Sequence, residues 1–149
     1  MVQINPMKKL ILFLSLFVAT TLSAQNKAAD ILGTYMNPDA DAVLKIYETN
    51  GKYFGKLIWT KNAGKLDDQN PDVSKRSQKR LGLVIMNNFK FDGDDTWEDG
   101  TIYDPKNGKT YDCKVTRDTR GNLDIRGFIG ISLLGRTSHF TKIDFKEPN

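Results

Sequence analysis

One cysteine and one histidine in 149 residues remove several chemistries at once. Cys113 has no partner for an intrachain disulfide. His139 stands alone, so no site can be assembled on or around a second histidine, and a lone strand histidine is usually a structural or surface residue. Cys113 alternates with Tyr111 and Val115 as residues on a strand do, and it reads as a buried, inert thiol. Without a disulfide, stability must come from a hydrophobic core, which a chain of this length can bury. A strong excess of one charge is also missing. The formal net charge is +4, and two of the lysines sit in an amino-terminal leader. A near-balanced surface argues against nucleic acid as a partner, because neutralising phosphates needs a clustered basic face.

Internal repeats, low-complexity segments and long helical periods are absent. After the leader no apolar run approaches the ~20 residues of a membrane-spanning helix. Acid clusters are present but badly spaced. Asp92-Gly93-Asp94-Asp95-Thr96 departs from a calcium loop, since Trp97 and Tyr103 occupy the sixth and twelfth places. It reads as a solvated turn. Glu98 and Asp99 are adjacent, so on a strand they point to opposite faces and make a poor pair for acid–base hydrolysis. No metal, cofactor or catalytic set is implied.

What is present begins with the leader. Lys8-Lys9, the apolar run Leu10 to Leu22 and the small residues Ser23-Ala24 have the layout of a secretory signal peptide, with Met7 a possible alternative start. The expectation is a leader over 1–24 and a single exported domain over 25–149, periplasmic or secreted. No cysteine follows the apolar run, which argues against a lipid-anchored amino terminus.

Strand signals then recur about every ten residues. Ala42 to Thr49 meets Asn50-Gly51, a two-residue hairpin signal, and Lys52 to Thr60 answers it, with Gly55 marking a bulge or close approach. Lys61 to Arg80 is polar, contains Pro71, and reads as a long loop holding one helical turn. Within it Lys75, Arg76, Lys79 and Arg80 lie beside Asp67, Asp68 and Asp72, an internally balanced set. Leu81 to Phe91 is extended. Trp97 to Tyr111 compresses strand, turn and strand into fifteen residues. Asp104-Pro105 stops the first strand, and Asn107-Gly108 supplies positive φ for the turn. Leu123 to Gly130 and Arg136 to Ile143 follow, and Ile31 to Met36 precedes them all.

About eight strands joined mainly by short turns fit an all-β, up-and-down antiparallel barrel, since closure removes exposed edges. Tyr53, Leu57 and Trp59 share a face, as do Leu123, Ile125 and Ile129. Because several strands are bulky on both faces, a barrel partly covered by a loop or terminus fits, and so does a sandwich. Whether the interior is open or filled stays undecided.

The motifs resemble the exported bacterial family called domain of unknown function 2147. The matching residues are Gly33-Thr34-Tyr35, Asn70-Pro71-Asp72, Arg76-Ser77 with Gly82, Trp97 and Gly100, Ile102 through Pro105, Gly108, Tyr111, Arg126-Gly127 with Gly130, and Gly135-Arg136-Thr137. Tyrosine stands at 35 where the family has tryptophan, and Phe140-Thr141-Lys142 stands where it has Trp-x-Arg. The resemblance implies a lipocalin-like (calycin) barrel, in which an aromatic of the first strand packs under a cation of the last. Tyr35 and Lys142 are that pair here.

The resemblance also points to Tyr103, Asp104, Arg126 and Arg136 as a polar recognition cluster, with Trp97 and Tyr111 as aromatic surfaces beside it. Arginine offers a rigid fork of donors, and tyrosine adds a donor with an apolar body. The plainer alternative is that Asp104 braces the turn after it and an arginine pairs with it. The resulting expectation is a non-enzymatic envelope binding module for a small amphipathic or anionic ligand. Its rivals are a small envelope enzyme using Tyr, Asp and Arg, and a module docking an envelope protein through Lys61 to Arg80.

Overall fold

The computed structural model describes residues 27–147. The signal-peptide reading of 1–24 therefore lies outside the described residues. Eight antiparallel strands form a closed barrel: β1 (Gly33–Met36), β2 (Ala42–Thr49), β3 (Lys52–Thr60), β4 (Val84–Phe91), β5 (Thr96–Asp104), β6 (Lys109–Arg117), β7 (Leu123–Phe128) and β8 (Arg136–Ile143). Each strand pairs with its sequence neighbour, and β1 closes on β8 through Thr34↔Ile143, Tyr35↔Lys142 and Met36↔Thr141. The barrel expectation holds, and the sandwich alternative falls. No helix among the described residues is long and apolar enough to cross a membrane.

Turn chemistry sets the registers. Asn50 and Gly51 both take positive φ (53° and 74°), the geometry of a two-residue hairpin whose twist matches its strands. Asn107-Gly108 behaves differently, because only Gly108 enters that region (φ 72°). Pro105 presets the first corner of a wider turn in which the Asp104 carbonyl accepts from both the Asn107 and Gly108 N–H groups, at 3.3 and 2.8 Å. A second constraint acts at Gly108: a Cβ there would lie 1.9 Å from the carbonyl oxygen of Gln69 in the long loop.

Bulges correct the simple alternation. Val43 pairs with Trp59 but Leu44 pairs with Leu57, so one extra residue on β3 turns Trp59 off the face shared by Tyr53 and Leu57. Trp59 packs instead on Phe145 of the carboxyl-terminal tail, ring centroids 6.3 Å apart. A second bulge spans Trp97 to Gly100, with Asp99 at φ 59°, and leaves Glu98 and Asp99 both exposed rather than on opposite faces. Ile129 lies beyond the end of β7 and is exposed, unlike Leu123 and Ile125.

The core is concentrated toward one end. Tyr35, Tyr53, Phe89 and Trp97 are buried there with Ile31, Val115 and Leu123. Tyr53 meets Trp97 edge-on at 6.3 Å, and Phe91 lies 5.0 Å from Trp97. Phe89 lies over Gly100, where a Cβ would fall 2.4 Å from Phe89 Cγ. The expected closure pair is present: Lys142 Nζ stands 5.9 Å from the Tyr35 ring centre. Cys113 is buried, and burial pushes its thiol up to about 12. Asp92 to Thr96 forms the turn foreseen for it, with Asp92 Oδ1 accepting from the Asp94 N–H at 3.0 Å.

Candidate functional site

Inward positions change size along the barrel axis, and a cavity results. Large rings fill the end just described. At the opposite end the lining positions include Ala42, Thr60, Gly127 and Ser138, which leave space unfilled. The cavity is about 1110 Å³, slightly above the roughly 300–1,000 Å³ usual for small-molecule sites. Its apolar lining is Leu44, Leu57, Ile85, Ile102, Ile125 and Phe140.

The mouth is polar because up-and-down topology sends every second connection there. These are 37–41, 61–83, 105–108 and 129–135. Lys61, Lys65, Arg80, Lys106 and Arg136 line the opening, against Asp39, Asp41 and Asp104. Lys106 Nζ lies 2.6 Å from Asp39, and this bond raises the lysine pKa while lowering the aspartate's. Arg80 reaches Asp68 at 3.2 Å and the Leu66 carbonyl at 2.9 Å. Lys61, Lys65 and Arg136 make no ion pair among the described residues. The balance at the mouth is therefore positive, with three cations uncommitted.

The six residues singled out from sequence separate into three places. Tyr103, Asp104, Tyr111 and Arg136 all line the cavity. Asp104 serves the turn, its Oδ1 accepting from the Lys106 N–H at 2.8 Å; it makes no salt bridge with arginine among the described residues. The Tyr111 hydroxyl accepts from Asn107 Nδ2 at 3.0 Å, which leaves its own proton to donate. Trp97 is in the filled end, donating from Nε1 to the Ala28 carbonyl at 3.3 Å, and does not line the cavity. Arg126 is also outside the lining. It donates to the Ser132 and Leu133 carbonyls at 2.7 and 3.1 Å and to Thr137 Oγ1 at 2.9 Å, holding the connection that precedes β8.

Tyr103 makes the contact that sequence reasoning missed. Its hydroxyl donates to Asp67 Oδ1 at 2.7 Å, and Asn70 Nδ2 donates to Asp67 Oδ2, also at 2.7 Å. Asp67 is completely buried. Burial first, then the bond to Asp67 and that residue's negative charge, push the Tyr103 hydroxyl up to about 12. This pair ties the long loop to β5. The loop contains the expected helical turn, Val73–Lys75, and pairs two of its cations internally, Lys75 on Asp72 and Arg80 on Asp68, so the balanced set expected from sequence is only partly formed. No sequence signal ranked Asp67 above Asp68 or Asp72. Lys61, Lys65 and Lys106 were discoverable only by noticing that their connections share one barrel end.

His139 is exposed and contacts Asp124 at 2.6 Å on the outer surface. Among the described residues no group of three His, Cys, Asp or Glu side chains is placed to hold a metal ion.

The fold is similar to that of a solved protein, HP1028 from the human pathogen Helicobacter pylori, which belongs to the lipocalin family. The TM-score is 0.71 at 21% identity, covering 76% of this chain and 83% of that one. This likeness shows a lipocalin-like barrel. No curated protein matches the chain. The model of the family described as "uncharacterized protein conserved in bacteria (DUF2147)" matches residues 33–142, from the start of β1 almost to the end of β8, and the chain belongs to that family.

Proposed function

We propose that this protein is a binding module of the cell envelope that takes a small amphipathic anion, tail inward and acidic head at the mouth. The observation that carries the reading is the gradient along the cavity, from six aliphatic or aromatic side chains within to the uncommitted Lys61, Lys65 and Arg136 at the rim. A carboxylate or phosphate head would find a bidentate partner in Arg136 and a hydroxyl donor in Tyr111. Burial of the tail supplies affinity, and the few polar groups set orientation. The export expected from the leader would place the module where envelope lipids and their breakdown products occur. The Tyr103–Asp67 pair supports the long loop as a fixed wall of the site.

The test is a fluorescent fatty acid compared with the matching alcohol. The acid should bind more tightly, and Arg136→Met should abolish most of that preference while the alcohol is little changed. Ser138→Phe, which fills the cavity, should remove both. Equal binding of acid and alcohol to the unaltered protein, or full binding by a correctly folded Ser138→Phe, would refute the proposal.

A further inference from the structure

The barrel is polarised from end to end in two independent ways. Connections at the cavity end (37–41, 61–83, 105–108 and 129–135) hold seven Lys or Arg against five Asp. Those described at the filled end (27–32, 50–51, 92–95 and 118–122) hold two against five. Apolar exposure follows the same axis. Among the described residues, all five large apolar side chains that are more than half exposed (Val73, Ile129, Ile131, Leu133 and Leu134) lie on cavity-end connections.

The connection between β7 and β8 is the extreme case. Leu133 and Leu134 are 83% and 79% exposed, and residues 129–135 contain no charged side chain. This segment is held in place rather than loose: Arg126 binds two of its carbonyls, and Gly135 sits where a Cβ would meet the Gly127 carbonyl oxygen at 2.6 Å. An arginine is thus spent holding leucines outward. Clustered exposed apolar groups of this kind mark interaction surfaces.

We infer that the cavity end docks on a bilayer containing anionic lipid. Leu133 and Leu134 enter the headgroup region, and the lysines and arginines of 61–83 face the lipid phosphates. Two features favour a membrane over a protein partner. The apolar groups form a projecting tip instead of a recessed pocket. The positive excess sits on 61–83, with six Lys or Arg against three Asp, and on Lys106, at the same barrel end as the apolar tip, which suits an anionic surface; apolar and basic groups on one face are what interfacial binding uses. Docking in this pose turns the cavity mouth to the lipid. Passage of a ligand from bilayer to cavity rests on the proposed function, but the docking does not.

Sedimentation with vesicles tests it, using phosphatidylcholine alone and phosphatidylcholine mixed with phosphatidylglycerol. The protein should bind the mixed vesicles, and more weakly at high salt. Leu133→Ser with Leu134→Ser should weaken binding at least tenfold with unchanged circular dichroism. Lys75→Glu with Lys79→Glu should remove most of the preference for the anionic vesicles. Ser138→Phe should bind vesicles normally, which separates this surface from the ligand site. Absence of vesicle binding, or binding unchanged by both pairs of substitutions, would overturn the inference. So would ultracentrifugation showing a dimer that the leucine substitutions dissolve while vesicles never compete.

Discussion

Tyr103→Phe removes one oxygen and should loosen the wall of the cavity. Asp67 Oδ1 is fully buried and would lose its donor at 2.7 Å, keeping only the Asn70 bond on Oδ2. Hydrogen bonds to charged groups are worth roughly 1.5–3 kcal/mol, so a loss of about 2 kcal/mol is expected. Expressed globally that is a fall of about 8 °C in Tm for a chain of this size. Because stability is not uniform across a fold, the loss should also show locally, as faster opening of 61–83. The Asp67 and Arg80 amides, which bond the Gln78 and Lys65 carbonyls, would then exchange about thirtyfold faster. Urea unfolding and hydrogen exchange should be run on Tyr103→Phe, Asp67→Ala and the double variant. Contact predicts a coupling energy of about 1.5 kcal/mol or more, and additivity within about 0.5 kcal/mol would refute the latch.

Gly100→Ala places a Cβ within 2.4–2.6 Å of three Phe89 ring atoms, and Phe89 is 1% exposed and cannot swing clear. It should cost about 3 kcal/mol in urea unfolding, the upper range for overpacking. Stability should also fall in alkali. Cys113 is raised from 9.0 to about 12 and Tyr35 and Tyr103 from 10.0 to about 12, chiefly by burial. Unfolding releases those protons above the ordinary values, so stability present below pH 9 should decline from pH 9 toward 12. Cys113→Ala should flatten the first part of that decline in pH-dependent urea melts. Arg126→Met should raise exchange rates in 129–135 while leaving fatty-acid affinity within about twofold, because its donors serve the connection and not the cavity.

Much of the barrel was legible because it is written locally. β2, β3 and β8 fall where alternation and turn residues put them, and Asn50-Gly51 makes its hairpin from its own backbone preferences. Cys113 was readable as buried from its place in an alternating strand. Errors arose where one residue changed the phase. The β3 bulge turned Trp59 outward, and the β5 bulge exposed Glu98 together with Asp99. A bulge depends on the partner strand's register, which a strand's own sequence does not contain.

The site was legible in part for the same reason. Tyr103, Asp104, Tyr111 and Arg136 line one cavity because two adjoining strands and the opening of β8 reach the same mouth. Trp97 lies on the same strand as Tyr103 but belongs to the opposite end, and Arg126 lies outside the lining that holds its neighbour Gly127. Asp67 meets Tyr103 across 36 positions of sequence, a pairing that exists only once the long loop folds back on β5. The sequence by itself determined the strands, their turns and the family. Which end stays open, which cations gather there and which acid is buried were decided by tertiary closure. Closure assembles groups from distant connections, and no local periodicity records their meeting.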